Sequence, residues 1–309
     1  MSTGLAGADH LAVGGDGRGA LLGRAYAHCE ETLRAHDKDR YLADLFIPSP
    51  VRPHAHALHA FSHEIARLRD IVSEPMPGEF RQQWWRDALE RDRSAPHGEA
   101  LANPVAAALL DTIARHSLSR QAFVGLIDAR IFDLYDDPMP DLGRLEAYCR
   151  DTSSVLFRLI ATMLSSGARE AGGRPEAGDE DIAEAATEAG IAYAYAGLIG
   201  AFARHAARGQ LYLPSDILRR HGVSREAALG GEATPALIAA VADWRAEARR
   251  HAAAASLAIE RLPATLKPAF RPLALVEPSL RLTERRGYDP FNPPPGLPQW
   301  RRQWTLWRG

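Results

Sequence analysis

From Leu21 onward the apolar residues of this chain recur at helical spacing, and the strict alternation that marks a half-buried strand is nearly absent. That pattern confines the chain to an all-α fold. Helices are predicted over roughly Leu21–His36, Ala55–Val72 and Gly78–Arg91. Asn103-Pro104 supplies an N-cap and a first-turn proline for a helix ending near His116. Ser119 caps the next. A long helix covers Leu142–Leu164, then comes a glycine- and charge-rich loop, SSGAREAGGRPEAGDE. The helix over about Asp181–His205 contains EAGIAYAYAGLIGAFA, an unusual run of small residues. Thr234-Pro235 opens another long helix to about Leu262, and prolines 263, 268 and 272 break the chain beyond it into short helical pieces.

The expected organisation is a disordered tail over 1–20, one helical domain over 21–286, and a Pro/Trp/Arg-rich tail over 287–309. With 46% hydrophobic and 25% charged residues, the 309-residue chain has enough apolar material for one sizeable core. A single bundle enclosing a central cavity fits this layout. The formal charge of −2 offers no bulk positive field for nucleic acid. Basic charge is nearly all arginine, with Lys38 and Lys267 the only lysines, as in a GC-rich bacterial genome. Cys29 and Cys149 lie far apart without metal-ligand spacing, which predicts reduced core thiols and a cytoplasmic location. Neither a secretory leader nor a transmembrane run is legible, so contact with an inner membrane would be peripheral.

Several side-chain groups invite a chemical reading. His54, His56, His59 and His63 cluster in RPHAHALHAFSH, and His59 and His63 stand at i, i+4, a spacing that suits a metal. The simpler expectation is a histidine-rich first turn. Arg67, Arg69, Arg81 and Arg86 either bind a phosphate or carboxylate or pair with neighbouring acids. Trp300, Trp304 and Trp307 form one helical stripe beside arginines. That stripe either docks back on the bundle or sits at a membrane surface with its indoles at headgroup depth.

Residues 57–74, ALHAFSHEIARLRDIVSE, resemble the first aspartate-rich helix of the squalene/phytoene synthase family, where A-F-C-R leads into D-D-x-x-D. Gly209-Gln210-Leu211-Tyr212-Leu213-Pro214 is similar to the family's G-R-x-Y-L-P signature. The resemblance implies an isoprenoid-synthase-type helical bundle, in which carboxylates on two facing helices hold magnesium against a diphosphate leaving group. Here Ala66 and Arg67 stand at the aspartate positions of the first motif, leaving Asp70. The second motif's pair falls on Ala201 and His205. His63 stands where the family carries a phosphate-binding arginine. LIDARIFDL, with Asp128 and Asp133, resembles L-I-D-G-M-x-x-D-L with Arg130 at the methionine. In the stretch beginning Tyr148-Cys149, Phe157 occupies a glycine position that gives isoprenoid tails room.

FSHEIARLRD, QWWRDAL, DTSSVLF and YLPSDI together resemble the family branch that includes the mitochondrial assembly factor of respiratory complex I and its bacterial relatives. This resemblance implies a non-catalytic binding or assembly role, with no catalytic residue, metal or cofactor. Membrane respiratory-complex subunits are the implied partners, and a lipid or isoprenoid the implied ligand. His63, Glu64, Arg67, Asp70, Asp128, Asp133, Phe157, His205 and Tyr212 are the candidates to line the cavity. The alternative is an active prenyl-diphosphate transferase whose displaced magnesium site uses Glu64, Asp70, Asp128 and Asp133.

Overall fold

The computed structural model describes residues 14–90, 102–170 and 177–309, and among them there is no β-strand. Sixteen α-helices succeed one another in chain order: α1 (Gly14–His36), α2 (Lys38–Asp44), α3 (Arg52–Ala66), α4 (Leu68–Ile71), α5 (Pro75–Glu90), α6 (Pro104–His116), α7 (Arg120–Ala129), α8 (Leu142–Cys149), α9 (Val155–Glu170), α10 (Asp179–Gly200), α11 (Phe202–Ala206), α12 (Ser215–Arg220), α13 (Arg225–Leu229), α14 (Pro235–Glu260), α15 (Val276–Leu282) and α16 (Gln299–Arg308). Short 3₁₀ helices cover Arg130–Leu134 and Lys267–Leu275, and a π-helical turn covers Arg150–Ser154.

Two of the three caps read from sequence are in place. Asn103 accepts a hydrogen bond from the Ala106 amide, and Thr234 accepts one from Leu237. Ser119 stands at the N-cap of α7 but makes no side-chain capping bond. Residues 14–20, expected in a tail, extend α1, and the rest of that tail lies outside the described residues. Likewise 165–170, expected in a loop, continue α9.

The small-residue helix α10 is the central element. Its first half, with Ile182, Ala185, Ala186 and Ala189, belongs to one apolar cluster built with α1, α3, α6 and α9. Its second half, with Ile191, Ala192, Tyr195 and Ile199, belongs to another built with α8, α12, α14 and α15. Alanines on α10 face alanines on α14 (Ala240, Ala248, Ala255, Ala258), all buried, so the two backbones run close together.

Three interruptions shape the site. The expected helix over 55–72 breaks at Arg67, which joins α3 to α4. The expected helix over 181–205 breaks at Ala201, which joins α10 to α11. The π turn accommodates one extra residue between α8 and α9, and the Thr152 hydroxyl donates to the Tyr148 carbonyl within it at 2.7 Å. This turn lies directly on α10: a Cβ added at Gly190 would come within 2.3 Å of Ser154 Cα, so only glycine fits. Ser154 Oγ also donates to the Thr187 carbonyl at 2.9 Å.

Candidate functional site

The interruptions at Arg67 and Ala201 face each other across a cavity of about 380 Å³. Its walls come from the α1–α2 junction (His36, Asp37, Arg40), the α3–α4 break (His63, Ala66, Arg67, Arg69, Asp70) and the α10–α11 break (Tyr193, Gly197, Ala201, Arg204, His205). Its floor comes from Arg130, Asp133, Tyr148, Ser153, Gln210 and Tyr212. Of the residues expected to line a cavity, His63, Arg67, Asp70, Asp133, His205 and Tyr212 are brought together here, with Ala66 and Ala201.

Three expected residues lie elsewhere. Asp128 is carried out of register by the 3₁₀ helix that succeeds α7. Its carboxylate is half exposed and pairs with Arg86 at 2.6 Å. Glu64 pairs with Arg67 at 3.3 Å and is not part of the cavity wall. Phe157 is buried in the first apolar cluster behind the wall, where its ring stacks on Phe270 at 6.1 Å and meets Tyr193 edge-on at 6.0 Å. Arg40 lies over the Tyr193 ring at 5.5 Å. The cavity's inner end is therefore stopped by an aromatic stack.

Asp133 organises the floor. Its Oδ1 accepts hydrogen bonds from the Tyr148 and Tyr212 hydroxyls at 2.7 and 2.6 Å, and its Oδ2 accepts one from Arg130 at 2.8 Å. Gln210 Nε2 donates to its backbone carbonyl at 2.5 Å. Burial raises the pKa of both phenols, so they remain protonated donors. Asp70 is clasped by Arg208, across the gap between α4 and the end of α11. Among the described residues, no group of three or more His, Cys, Asp or Glu is placed to hold a metal ion.

His56, at 3.8 Å, shares Asp44 with His59, and the other histidines of the cluster go to separate partners. His59 bonds Asp44 at 2.9 Å, His54 bonds Tyr26 and Thr112 at 2.9 Å, and His63 stacks on His36 at 5.2 Å. His205 packs against the Tyr212 ring at 4.8 Å. Burial, with Arg204 adding repulsion, lowers the His205 pKa from 6.5 to about 4; burial, with His116, does the same for His54. The folded chain thus refuses protons that its unfolded form accepts, and stability falls as pH drops from about 6.5 towards about 4. Urea titrations across that range should show a declining midpoint, with a flatter slope in His205→Gln and His54→Gln.

Arg40, Arg204 and Arg208 escaped the sequence reading. Arg40 is distant in sequence from the aspartate-motif positions, whereas Arg204 lies within the second motif and Arg208 just beyond it.

The sequence profile described as squalene/phytoene synthase matches residues 33–308. The chain belongs to the squalene/phytoene synthase family. A rat member, NADH dehydrogenase (ubiquinone) complex I, assembly factor 6 from Rattus norvegicus, is 31% identical over 271 residues, covering 87% of this chain and 77% of that protein. Among solved structures, the squalene synthase HpnC from Alicyclobacillus acidocaldarius superposes with a TM-score of 0.71 at 22% identity, covering 88% of this chain and 97% of that one. A dehydrosqualene synthase in complex with a ligand superposes with a TM-score of 0.75 at 17% identity, covering 94% and 97%. These neighbours establish the all-α isoprenoid-synthase fold expected from the sequence. The family fold thus frames the cavity between α3–α4 and α10–α11, with a local chemistry set by this chain's own residues.

Proposed function

We propose that this chain is a non-catalytic member of its family that acts as a binding or assembly factor for a membrane respiratory complex. The observation that carries this reading is Asp70 held by Arg208 in a wall where Ala66, Ala201 and His205 occupy the other motif positions. Magnesium requires several oxygen ligands in near-octahedral array, usually carboxylates together with substrate phosphate. One carboxylate already neutralised by a guanidinium does not fit that requirement. Two losses work together, since the aromatic stop at Tyr193 and Phe157 also closes the direction in which a long isoprenoid tail would extend. Similarity to the rat complex I assembly factor supports the positive half of the proposal, a role in assembly.

Peripheral membrane contact belongs to the same reading. No described helix is long and apolar enough to span a bilayer. Helix α16 docks on the bundle through Leu306, 1% exposed, and through Arg302, which pairs with Asp39 at 2.5 Å. That docking turns Trp300, Trp304 and Trp307 outward, 69%, 53% and 68% exposed. The helix docks, but the tryptophan stripe is not its docking face. Exposed indoles flanked by arginines suit the headgroup region of an anionic bilayer. Replacing all three with alanine should abolish co-sedimentation with anionic vesicles while leaving the melting temperature unchanged.

The decisive experiment pairs two measurements on the full chain. Incubation with farnesyl diphosphate and magnesium should give no turnover, and affinity purification from membranes of its source should recover respiratory-complex subunits. Turnover of a prenyl diphosphate, or recovery of none of those subunits, overturns the proposal.

A further inference from the structure

The 3₁₀ helix at Arg130–Leu134 presents Arg130 and Asp133 to the cavity and Ile131 to a separate furrow outside it. Ile131 is shared by two adjoining hollows, one of about 300 Å³ against α5 and one of about 630 Å³ against α8. Met76 and Phe80, one turn apart on α5, line the first and are 66% and 69% exposed. Phe132, Met139 and Pro140 continue the apolar surface into the second. A single exposed apolar side chain is ordinary, but a contiguous set along a furrow marks an interaction site. The furrow is rigid at its base, because α5 lies directly on the 3₁₀ helix: a Cβ added at Gly78 would come within 2.6 Å of Leu134 Cδ2.

Gln82 supplies an independent indication. It lines the first hollow at 1% exposure, and neither its amide nitrogen nor its amide oxygen has a hydrogen-bond partner. Buried polar atoms are nearly always satisfied, and an orphaned one costs stability. A side-chain amide presents a donor and an acceptor together, and a peptide unit answers both. In a helix the backbone N–H and C=O are consumed internally, whereas an extended segment has them free.

The charges around the furrow fix the sign of the occupant. Asp128 and Arg86 neutralise one another at 2.6 Å. Glu79 accepts the Tyr135 hydroxyl and has no cationic partner among the described residues. The Asp137 and Asp151 carboxylates make no hydrogen bond or ion pair there either. Arg150, next to Asp151 in the chain, pairs with Glu146 at 3.7 Å. Against these three carboxylates stands one unpaired cation, Arg144. An acidic rim of this kind repels anionic headgroups and attracts lysine and arginine side chains, so it selects a protein segment over a bilayer.

We infer that this furrow docks an extended, basic and apolar segment of a partner protein. Apolar side chains of that segment pack between Phe80 and Ile131, its cations meet Asp137 and Asp151, and one of its peptide groups satisfies Gln82. The furrow is distinct from the cavity, so the inference holds or fails whether or not the chain turns over a prenyl diphosphate.

Fluorescence anisotropy of the full chain with a labelled peptide of Leu-Lys-Pro repeats, which proline keeps extended, is the test. Saturable binding is expected, weakening as salt is added, and the Leu-Glu-Pro counterpart should bind about tenfold more weakly or worse. Phe80→Ser, at an exposed position, should cost about tenfold in affinity without lowering the melting temperature. Asp137→Asn/Asp151→Asn should cost about fivefold at low salt and less at high salt. Gln82→Leu removes both orphaned atoms, so it should melt no lower than the parent and yet lose about fivefold in affinity. That combination separates a binding role from a structural one. Leu257→Ser, on the exposed face of α14 away from the furrow, should bind as the parent does.

The inference is overturned by no binding of the lysine peptide, by equal binding of the glutamate peptide, or by parental affinity in Phe80→Ser and Gln82→Leu. Sedimentation of the full chain tests the other occupants. Self-association, or binding to anionic vesicles, that disappears in Phe80→Ser would give the furrow to a second copy or to a bilayer and overturn the inference equally.

Discussion

Substituting Phe157 with alanine should destabilise the chain by about 3–5 kcal/mol, the usual cost of deleting a buried aromatic ring. Phe157 is 4% exposed, stacks on Phe270 at 6.1 Å and meets Tyr193 at 6.0 Å, so little around it is free to collapse into the space. Part of the cost is lost transfer free energy. The remainder is the void left between α9, α10 and the 3₁₀ helix at Lys267–Leu275. Phe157→Leu should recover much of the loss, because it refills most of the volume without the ring. The measurement is the urea midpoint at constant slope, which separates lost stability from a changed unfolded state. A Phe157→Ala variant as stable as the parent would mean that this ring is not a plug, and that the cavity's inner end is open.

Asp133→Ala should be comparably damaging, about 3–5 kcal/mol, because it strands a charge rather than opening a void. The carboxylate is the acceptor for Arg130, Tyr148 and Tyr212 at once. Its removal leaves the Arg130 guanidinium without its neutralising partner and orphans two phenolic donors. Asp133→Asn keeps the shape but not the charge and should fall between the two. Double variants give a sharper reading: Asp133→Ala and Tyr212→Phe share a hydrogen bond, so their costs should sum to less than the separate values. Strict additivity would show that the bond at 2.6 Å contributes nothing.

The helices were legible because their signals are local. Asn103-Pro104 and Thr234-Pro235 announce their helices through capping oxygens and a fixed φ, and those features need no tertiary context. The breaks at Arg67 and Ala201 and the π turn at 150–154 had no such signal. The π turn depends on α10 offering a bare backbone at Gly190, far away in sequence, where the contact is decided. Periodicity alone therefore predicts continuous helices where the fold interrupts them.

The site was legible by the same logic. Ala66, Asp70, Ala201 and His205 stood in a recognisable frame, and the chain fold brings them to one cavity. Asp128 was expected with them because it shares a segment with Asp133. The 3₁₀ winding after Ala129 turns the two carboxylates apart, one to Arg86 and one to the floor. Phe157 was expected in the wall, and it stands one layer behind it. Arg40, Arg204 and Arg208 were not singled out in the sequence, and Arg40 reaches the cavity from a different helix pair.

Helix α2 is only seven residues long, yet it serves as a partition with two occupied faces. Arg40 leans over Tyr193 on the inner side, while its neighbour Asp39 grips Arg302 of α16 on the outer side. Inserting or deleting one residue in this segment rotates every later side chain by about 100°, so neither face can be retuned alone. The arginine-lined interior and the outward indoles therefore form one inherited unit, with their spacing set by two turns of backbone.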